Sequence, residues 1–248
     1  MRRVALAVVA VVSLAPWMTR VTGAGTAATT TIEPALRRFL ARPDEPLTQY
    51  RAVRHLEASN ERFNLSATLD AITELLPDGR FTYAVVRETG SDYIRTKVLH
   101  PLLEHEVEVA GGGDPSRFAI SAGNYELTAG ELADDGTVKL LVKPRRRDVG
   151  LIDGAVFVTT ADADMVRIEG RLVKNPSFWT TRVDLVRSYG RLGGVRVPVR
   201  LDTTAHIRFA GVSTMSMTYD YETINGRPVE SASASARPGR EEMASAHP

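Results

Sequence analysis

The amino-acid sequence predicts a mainly β, α+β protein: a curved antiparallel sheet that curls into a barrel or half-barrel, with helices covering the concave face. Three observations lead there. The first is the stretch from Val195 to Gly226, in which Val195, Val197, Val199, Leu201, Thr203, Ala205, Ile207 and Phe209 alternate with Arg196, Arg200, Asp202, Thr204, His206 and Arg208. A period of two sends successive side chains to opposite faces of a strand. After Ala210-Gly211 the alternation resumes with Met215, Met217, Tyr219 and Tyr221 before Asn225-Gly226 ends it, so the stretch reads as a long hairpin with one apolar face. The second is the spacing of turn signals, which divides the chain into about ten antiparallel strands, a number at which a twisted sheet tends to curl. The third is that only two segments have helical spacing. Two helices cannot cover both faces, so they belong in the concavity and the other face is expected to be polar, as Arg196, Arg200 and Arg208 indicate.

The elements follow in order. Residues 1–24 have a basic start at Arg2 and Arg3, an apolar run from Val4 to Leu14 and the small residues Thr22-Gly23-Ala24, the pattern of a cleavable signal peptide; Pro16 and Arg20 interrupt the run before it reaches membrane-spanning length. Residues 25–31 are a small-residue linker. Ile32–Ala41 then forms an amphipathic helix with Leu36, Phe39 and Leu40 on one side and Arg37, Arg38 and Arg42 on the other, ended by Pro43 and Pro46. Strands are expected at Tyr50–Ala58, less regular, at Leu65–Leu75, and from Phe81 after the Pro77-Asp78-Gly79 turn. Ser91 is the N-cap of a second helix in which Ile94, Val98, Leu99, Leu102 and Leu103 recur at helical spacing to about Val109; Pro101 should kink or split it. Strands return at Tyr125–Leu132, Thr137–Lys143, Ala155–Thr160, Met165–Val173 and Arg182–Tyr189. Residues 32–226 make one domain. Residues 227–248, rich in Ser, Ala, Pro, Gly and charge, read as a disordered tail.

Composition limits the function. With no cysteine there is no disulfide, thiolate metal site, cysteine nucleophile or lipidated N-terminal cysteine. Removing residues 1–24 takes away Arg2, Arg3 and Arg20 and no acids, changing the formal charge from +1 to −2. A near-neutral chain lacks the basic footprint of a nucleic-acid binder, and none is expected as a partner. No nucleophile elbow, phosphate loop or dinucleotide fingerprint occurs. His100 and His105 are five apart, about 140° around a helix, and cannot share a metal without distortion. Asp162 and Asp164 lack the further oxygen ligands and glycine of a calcium loop and read as a turn. No catalytic residue, metal or cofactor is therefore expected. Lys139, Lys143, Arg145, Arg146 and Arg147 form the one basic concentration, read as an exposed charged loop or as a contact for anionic headgroups or a partner.

Met215 and Met217, in a row with Tyr219 and Tyr221, read either as core or as the wall of a pocket, where methionine adapts to acyl chains of varied shape. In the pocket reading the lining is Val98, Leu102, Val197, Val199, Leu201, Met215, Met217 and Tyr219, with Phe178 and Trp179 at the rim.

The export signal, the run Ile168-Glu169-Gly170 on to Pro176-Ser177-Phe178-Trp179, and especially Gly194-Val195-Arg196-Val197-Pro198-Val199 followed by Tyr219-Asp220-Tyr221 and Asn225-Gly226, resemble the outer-membrane lipoprotein-sorting (LolA-like) proteins over about residues 32–226. The resemblance implies a half-open β-barrel closed by helices over an apolar cavity that binds acyl chains. It also implies a lid arginine, for which the first helix offers both Arg37 and Arg38. The expectation is a periplasmic, non-enzymatic carrier of lipid or lipoprotein acyl chains with transient membrane contact. The alternative is a periplasmic sensor or envelope-stress regulator on the same fold, acting through an envelope protein partner.

Overall fold

The computed structural model describes residues 32–42, 44–110 and 115–229; the signal peptide, the linker at 25–31, the Gly111-Gly112-Gly113 stop and the tail beyond Val229 lie outside them. One mixed-length antiparallel sheet dominates. Its ten long strands are β1 (Tyr50–Asn60), β2 (Leu65–Leu75), β3 (Phe81–Gly90), β4 (Tyr125–Leu132), β5 (Val138–Pro144), β6 (Ile152–Val158), β7 (Met165–Leu172), β8 (Thr180–Leu192), β9 (Val195–Ile207) and β10 (Gly211–Ile224). Their order is β3-β2-β1-β10-β9-β8-β7-β6-β5-β4, with edges at β3 and β4, so the sheet is open and does not close into a barrel. A two-residue β11 (Arg227–Pro228) pairs with β10, extending the sheet into the stretch expected to begin the tail.

Cross-strand partners trace one inner row: Leu140, Val156, Ile168, Arg187, Leu201, Met217, Leu56 and Leu69 lie side by side from β5 to β2. Both helical segments sit on this side. The first, α1 (Ile32–Ala41), sets Ala35, Leu36 and Phe39 against Val138, Leu140, Val156 and Ile168. The second runs as α2 (Asp92–Ile94), a π-helical segment (Arg95–Leu99) and α3 (His100–Ala110); it lies over β1, β2 and β3 and sets Ile94, Val98, Leu99, Leu102 and Leu103 in one buried cluster with residues of β9 and β10. Ser91 caps it, its hydroxyl accepting from the Ile94 N–H at 3.4 Å. The split expected from Pro101 takes the form of the π segment immediately before it, since a wider turn relieves the clash of the proline ring with the carbonyl four residues back. α1 is fastened by Arg38, which donates to the carbonyls of Ala161 at 2.8 Å and Thr160 at 3.1 Å, and by Arg42 on the Asp162 carboxylate at 2.9 Å.

The outer face is polar, with cross-strand pairs such as Arg51 between Glu74 and Glu222, and His55 on Asp70 at 2.5 Å. Arg200 is exposed there as expected and Arg208 is exposed in the turn after β9, but Arg196 is half-buried and paired with Asp44. The register shift between Ser188 and Tyr189, opposite Pro198, breaks the simple alternation, and the segment after α1 crosses this end of the sheet. Phe209 also departs from the inner face. The strand ends at Ile207, and Phe209 has φ 64° in the turn and is 70% exposed.

Gly154 on β6 faces Gly170 on β7. A Cβ at 154 would overlap the Glu169 carbonyl oxygen, and one at 170 would lie 2.6 Å from an Ile152 methyl, so only hydrogen fits between these strands. Gly154→Ala is expected to cost ~2–4 kcal/mol, because the clash is with backbone that cannot move aside without breaking the ladder. Urea unfolding of the variant against the parent measures this.

Candidate functional site

The inner face under α2–α3 is mostly apolar, and a buried ion pair interrupts it. Arg54 takes an inward position of β1 between Ala52 and Leu56 and is fully buried. Its guanidinium donates to the Glu106 carboxylate of α3 at 2.8 Å and to the Tyr50 hydroxyl at 2.5 Å, with the Met217 sulfur at 3.7 Å. Aromatic faces close round it: the ring centres of Tyr219 and Phe81 lie 4.7 and 5.0 Å from the guanidinium carbon. Tyr219 stacks on Tyr221, which meets Tyr50 edge-on and donates to the Pro198 carbonyl at 2.9 Å. Burial works to strip the proton from Arg54, but the Glu106 carboxylate together with the Tyr50 and Tyr219 hydroxyls outweighs it and keeps the group charged. The same burial pushes the Tyr50, Tyr219 and Tyr221 hydroxyls upward, so all three stay neutral. The Arg54 Nε is buried with no hydrogen-bond partner.

This pair joins the roof to the sheet. A second tie lies at the β3 edge, where Glu88 accepts from Arg95 at 2.6 Å and pairs with His100 at 2.6 Å. The hydrogen bond from His100, then the charges of Arg95 and His100, hold the Glu88 carboxyl below its ordinary range.

Of the sequence-derived lining residues, the structure brings Val98, Leu102, Val197, Leu201, Met215, Met217 and Tyr219 into one buried cluster. Met215 and Met217 are 4% and 0% exposed, packed rather than bordering open space. Val199 is half-buried at the irregular part of β9. Phe178 and Trp179 lie apart, exposed on the loop between β7 and β8, because that loop sits at the end of the strands and not over the inner face. Neither arginine of α1 enters the cluster: Arg37 is exposed and Arg38 is engaged with backbone carbonyls. Sequence reasoning missed Arg54, Glu106 and Arg187. Each is a charge at an apolar position of an otherwise regular pattern, Arg54 among Ala52, Leu56 and Ala58, Glu106 after Val98 and Leu102, Arg187 after Val183 and Leu185. Arg187 stands in the middle of the inner row with its Nε and one terminal nitrogen buried and unpaired.

The other candidates resolve simply. Among the described residues no group of three His, Asp or Glu side chains could hold a metal. Asp162 and Asp164 form a turn with Ala163 at φ 56°, their carboxylates taken by Arg42 and Arg191. Lys139 pairs with Glu131. No helix among the described residues is long and apolar enough to cross a membrane.

No protein-family model and no curated protein matches this chain. Among solved structures it is similar to a LolA superfamily protein from Nitrosomonas europaea, at 9% identity and TM-score 0.37 over 77% of this chain and 94% of that one. It is similar also to a DUF1329 family protein from Desulfovibrio piger, at 9% and 0.39 over 81% and 94%. A third similar structure is an outer membrane lipoprotein-sorting protein domain from Vibrio parahaemolyticus, at 10% and 0.36 over 77% and 90%.

Two expectations follow from the geometry. Glu106→Leu alone strands a buried guanidinium and should cost ~3–5 kcal/mol, whereas Arg54→Met with Glu106→Leu should be close to neutral or stabilising, because two desolvated charges are exchanged for apolar packing; denaturant unfolding of the two variants reads the difference. Because the Glu88 carboxyl is lowered on folding, its contribution is fully present above the unfolded value of about 4.3 and is lost as pH falls through the folded value. Hydrogen exchange should therefore show residues 92–110 losing protection relative to β9 as pH drops below about 4 in the parent, with the pH dependence flattened in Glu88→Gln.

Proposed function

We propose that the protein is an exported, non-enzymatic carrier that accepts the acyl chains of a lipid or lipoprotein between the inner face of the sheet and the α2–α3 roof. The observation that supports this reading is the Arg54–Glu106 pair, a buried polar contact at the centre of an apolar interface. A buried ion pair is a poor fastener compared with apolar side chains of the same volume. It is, however, directional and all-or-none, which suits a roof that must lift and reseat in one register. Once lifted, Met215, Met217, Leu201 and Leu102 offer a surface that acyl chains match as well as the protein's own side chains do. Arg187, with its unpaired nitrogens beside Leu201, supplies donors for the carboxylate, ester or phosphate end of such a chain.

A second reading, an envelope sensor working through protein contacts, is favoured by an open groove of about 520 Å³ on the outer face, walled by Asp153, Glu169, Arg171, Arg182, Asp184 and Asp202. Its charged walls suit a polar partner and not an acyl chain.

Delipidated protein is expected to take up a fluorescent fatty acid and release it to unlabelled acyl chains. The Arg54→Met, Glu106→Leu double variant should load more slowly although it is no less stable, and Arg187→Gln should weaken a fatty acid about tenfold (~1.4 kcal/mol) relative to the alcohol of the same chain length. Failure to take up any acyl probe, with no lipid recovered from envelope extract, would rule out carriage; a stoichiometric protein partner captured without lipid would favour the sensor.

A further inference from the structure

The exposed large aromatics of the described chain are not scattered. Phe63, Phe178, Trp179 and Phe209 are 51%, 74%, 38% and 70% exposed and lie in connections at one end of the sheet, and Tyr93, 37% exposed, lies on α2, which begins at that same end. Strand directions require this. β1, β9, β7 and β5 run the same way, because each is separated from the next by one antiparallel neighbour, and the connections after them are residues 61–64, 208–210, 173–179 and 145–151. Hydrogen bonds stitch these connections together. The Asn60 amide donates to the carbonyls of Ala210 and Val212 at 2.9 and 3.2 Å, the Arg208 N–H to the Trp179 carbonyl at 2.8 Å, and Arg147 to the Val173 carbonyl at 3.3 Å. Trp179 meets Phe178 and Phe209 edge-to-face, with ring centres 5.5 and 6.2 Å apart, so three rings form one surface.

In these four connections the cations outnumber the acids, which are Glu61 and Asp148. Arg62, Arg145, Arg147, Lys174 and Arg208 are exposed, and none has a carboxylate partner among the described residues; Arg208 instead lies over the Phe178 ring at 5.0 Å. Asp148, the acid of the basic loop, is already shared by Arg117 and Arg146. The opposite end carries the acidic turns, Asp78 before Gly79, Asp134-Asp135 before Gly136, and Asp162. Phe209 adds a further sign of selection for the surface. It occupies a positive-φ turn position that glycine or asparagine fills with less strain, and it leaves its ring mostly in solvent, in contact with Trp179.

We infer that this end of the sheet is a docking surface for an anionic lipid bilayer, with Phe178, Trp179 and Phe209 entering the headgroup region and Arg62, Arg147, Lys174 and Arg208 meeting the lipid phosphates. Aromatic rings are stable at the boundary of headgroup and acyl chain, and cations beside them are drawn to the negative surface. A protein partner would bury such rings in a complementary pocket, but the unneutralised cations ringing the patch complement a continuous negative plane. The inference does not rest on acyl carriage, since docking needs only the surface. It would place α2, which begins after Gly90 at this same end, next to the membrane.

The test uses the exported form of the protein, its N-terminus fixed by intact mass, with vesicles of phosphatidylcholine alone or mixed equally with phosphatidylglycerol. The protein should float with the mixed vesicles, less with phosphatidylcholine, and less again as salt rises, with Trp179 emission moving to shorter wavelength on binding. Phe178→Ser with Phe209→Asn should abolish flotation and the emission shift while the thermal midpoint stays the same or rises. Arg147→Gln with Lys174→Gln and Arg208→Gln should remove the preference for phosphatidylglycerol. No flotation with either vesicle, flotation unchanged in both variants, or a parent dimer that the aromatic variant converts to monomer would each overturn the inference. Acyl-probe uptake is measured on the same variants without vesicles, so loss of docking with uptake intact, or the reverse, separates this surface from the carrier reading.

Discussion

The pairing of β1 with β10 is the constraint on which the rest of the structure depends. These strands come from opposite ends of the described chain, yet they pair along their whole length, from Tyr50 with Ile224 to Asn60 with Ser213. Every other neighbouring pair in the sheet is consecutive in sequence. Without this one long-range ladder the chain would make two separate meanders, β1–β3 with the helix after them and β4–β10, each with an uncovered apolar face. With it, Leu56 lies beside Met217, Arg54 reaches Tyr219, and α2–α3 spans strands from both halves. The loop-closure entropy of such a contact is large, and burial of the shared inner face is what offsets it.

The sheet's inner face then divides into two clusters, one under α1 and one under α2–α3, with Ile152 packed against both. They are fastened differently. α1 is held from its exposed side, by arginines on the carbonyls and carboxylate of the 160–162 turn, and its buried side is wholly apolar. α2–α3 has the Glu88 tie at its rim but is also held from within, by a charge pair in a layer of Leu, Val and Met. Polar contacts at the rim constrain position at little desolvation cost, whereas a buried pair penalises every partly opened state in which one charge is left alone in the apolar layer. The first arrangement suits a fixed cover and the second a cover with two discrete positions.

Much of the architecture was legible from the residues. Period-two alternation marked β2, β9 and β10 because one face is buried and the other solvated, and the spacing of Leu36, Phe39 and Leu40 marked α1 for the same reason. The Ser91 cap and the disturbance before Pro101 are local chemistry and were equally readable. The candidate site was legible only in its apolar part. Val98, Leu102, Leu201, Met215 and Met217 share a period with their own elements, and that period says which way they face.

Sequence alone therefore determined which residues turn inward and that the two helical segments must cover them, because facing is fixed by dihedral periodicity within each element. Tertiary structure decided which inward residues meet. Nothing local to β1 says that Arg54 will find Glu106, fifty-two positions on, or that its aromatic neighbours will include Tyr219 from the far end of the chain. It also decided that Phe178 and Trp179 lie outside the interior, that Arg196 is half-buried against Asp44, and that four distant connections gather their exposed rings and cations at one end. Those outcomes depend on strand order and direction, which are properties of the assembled sheet and of no single segment.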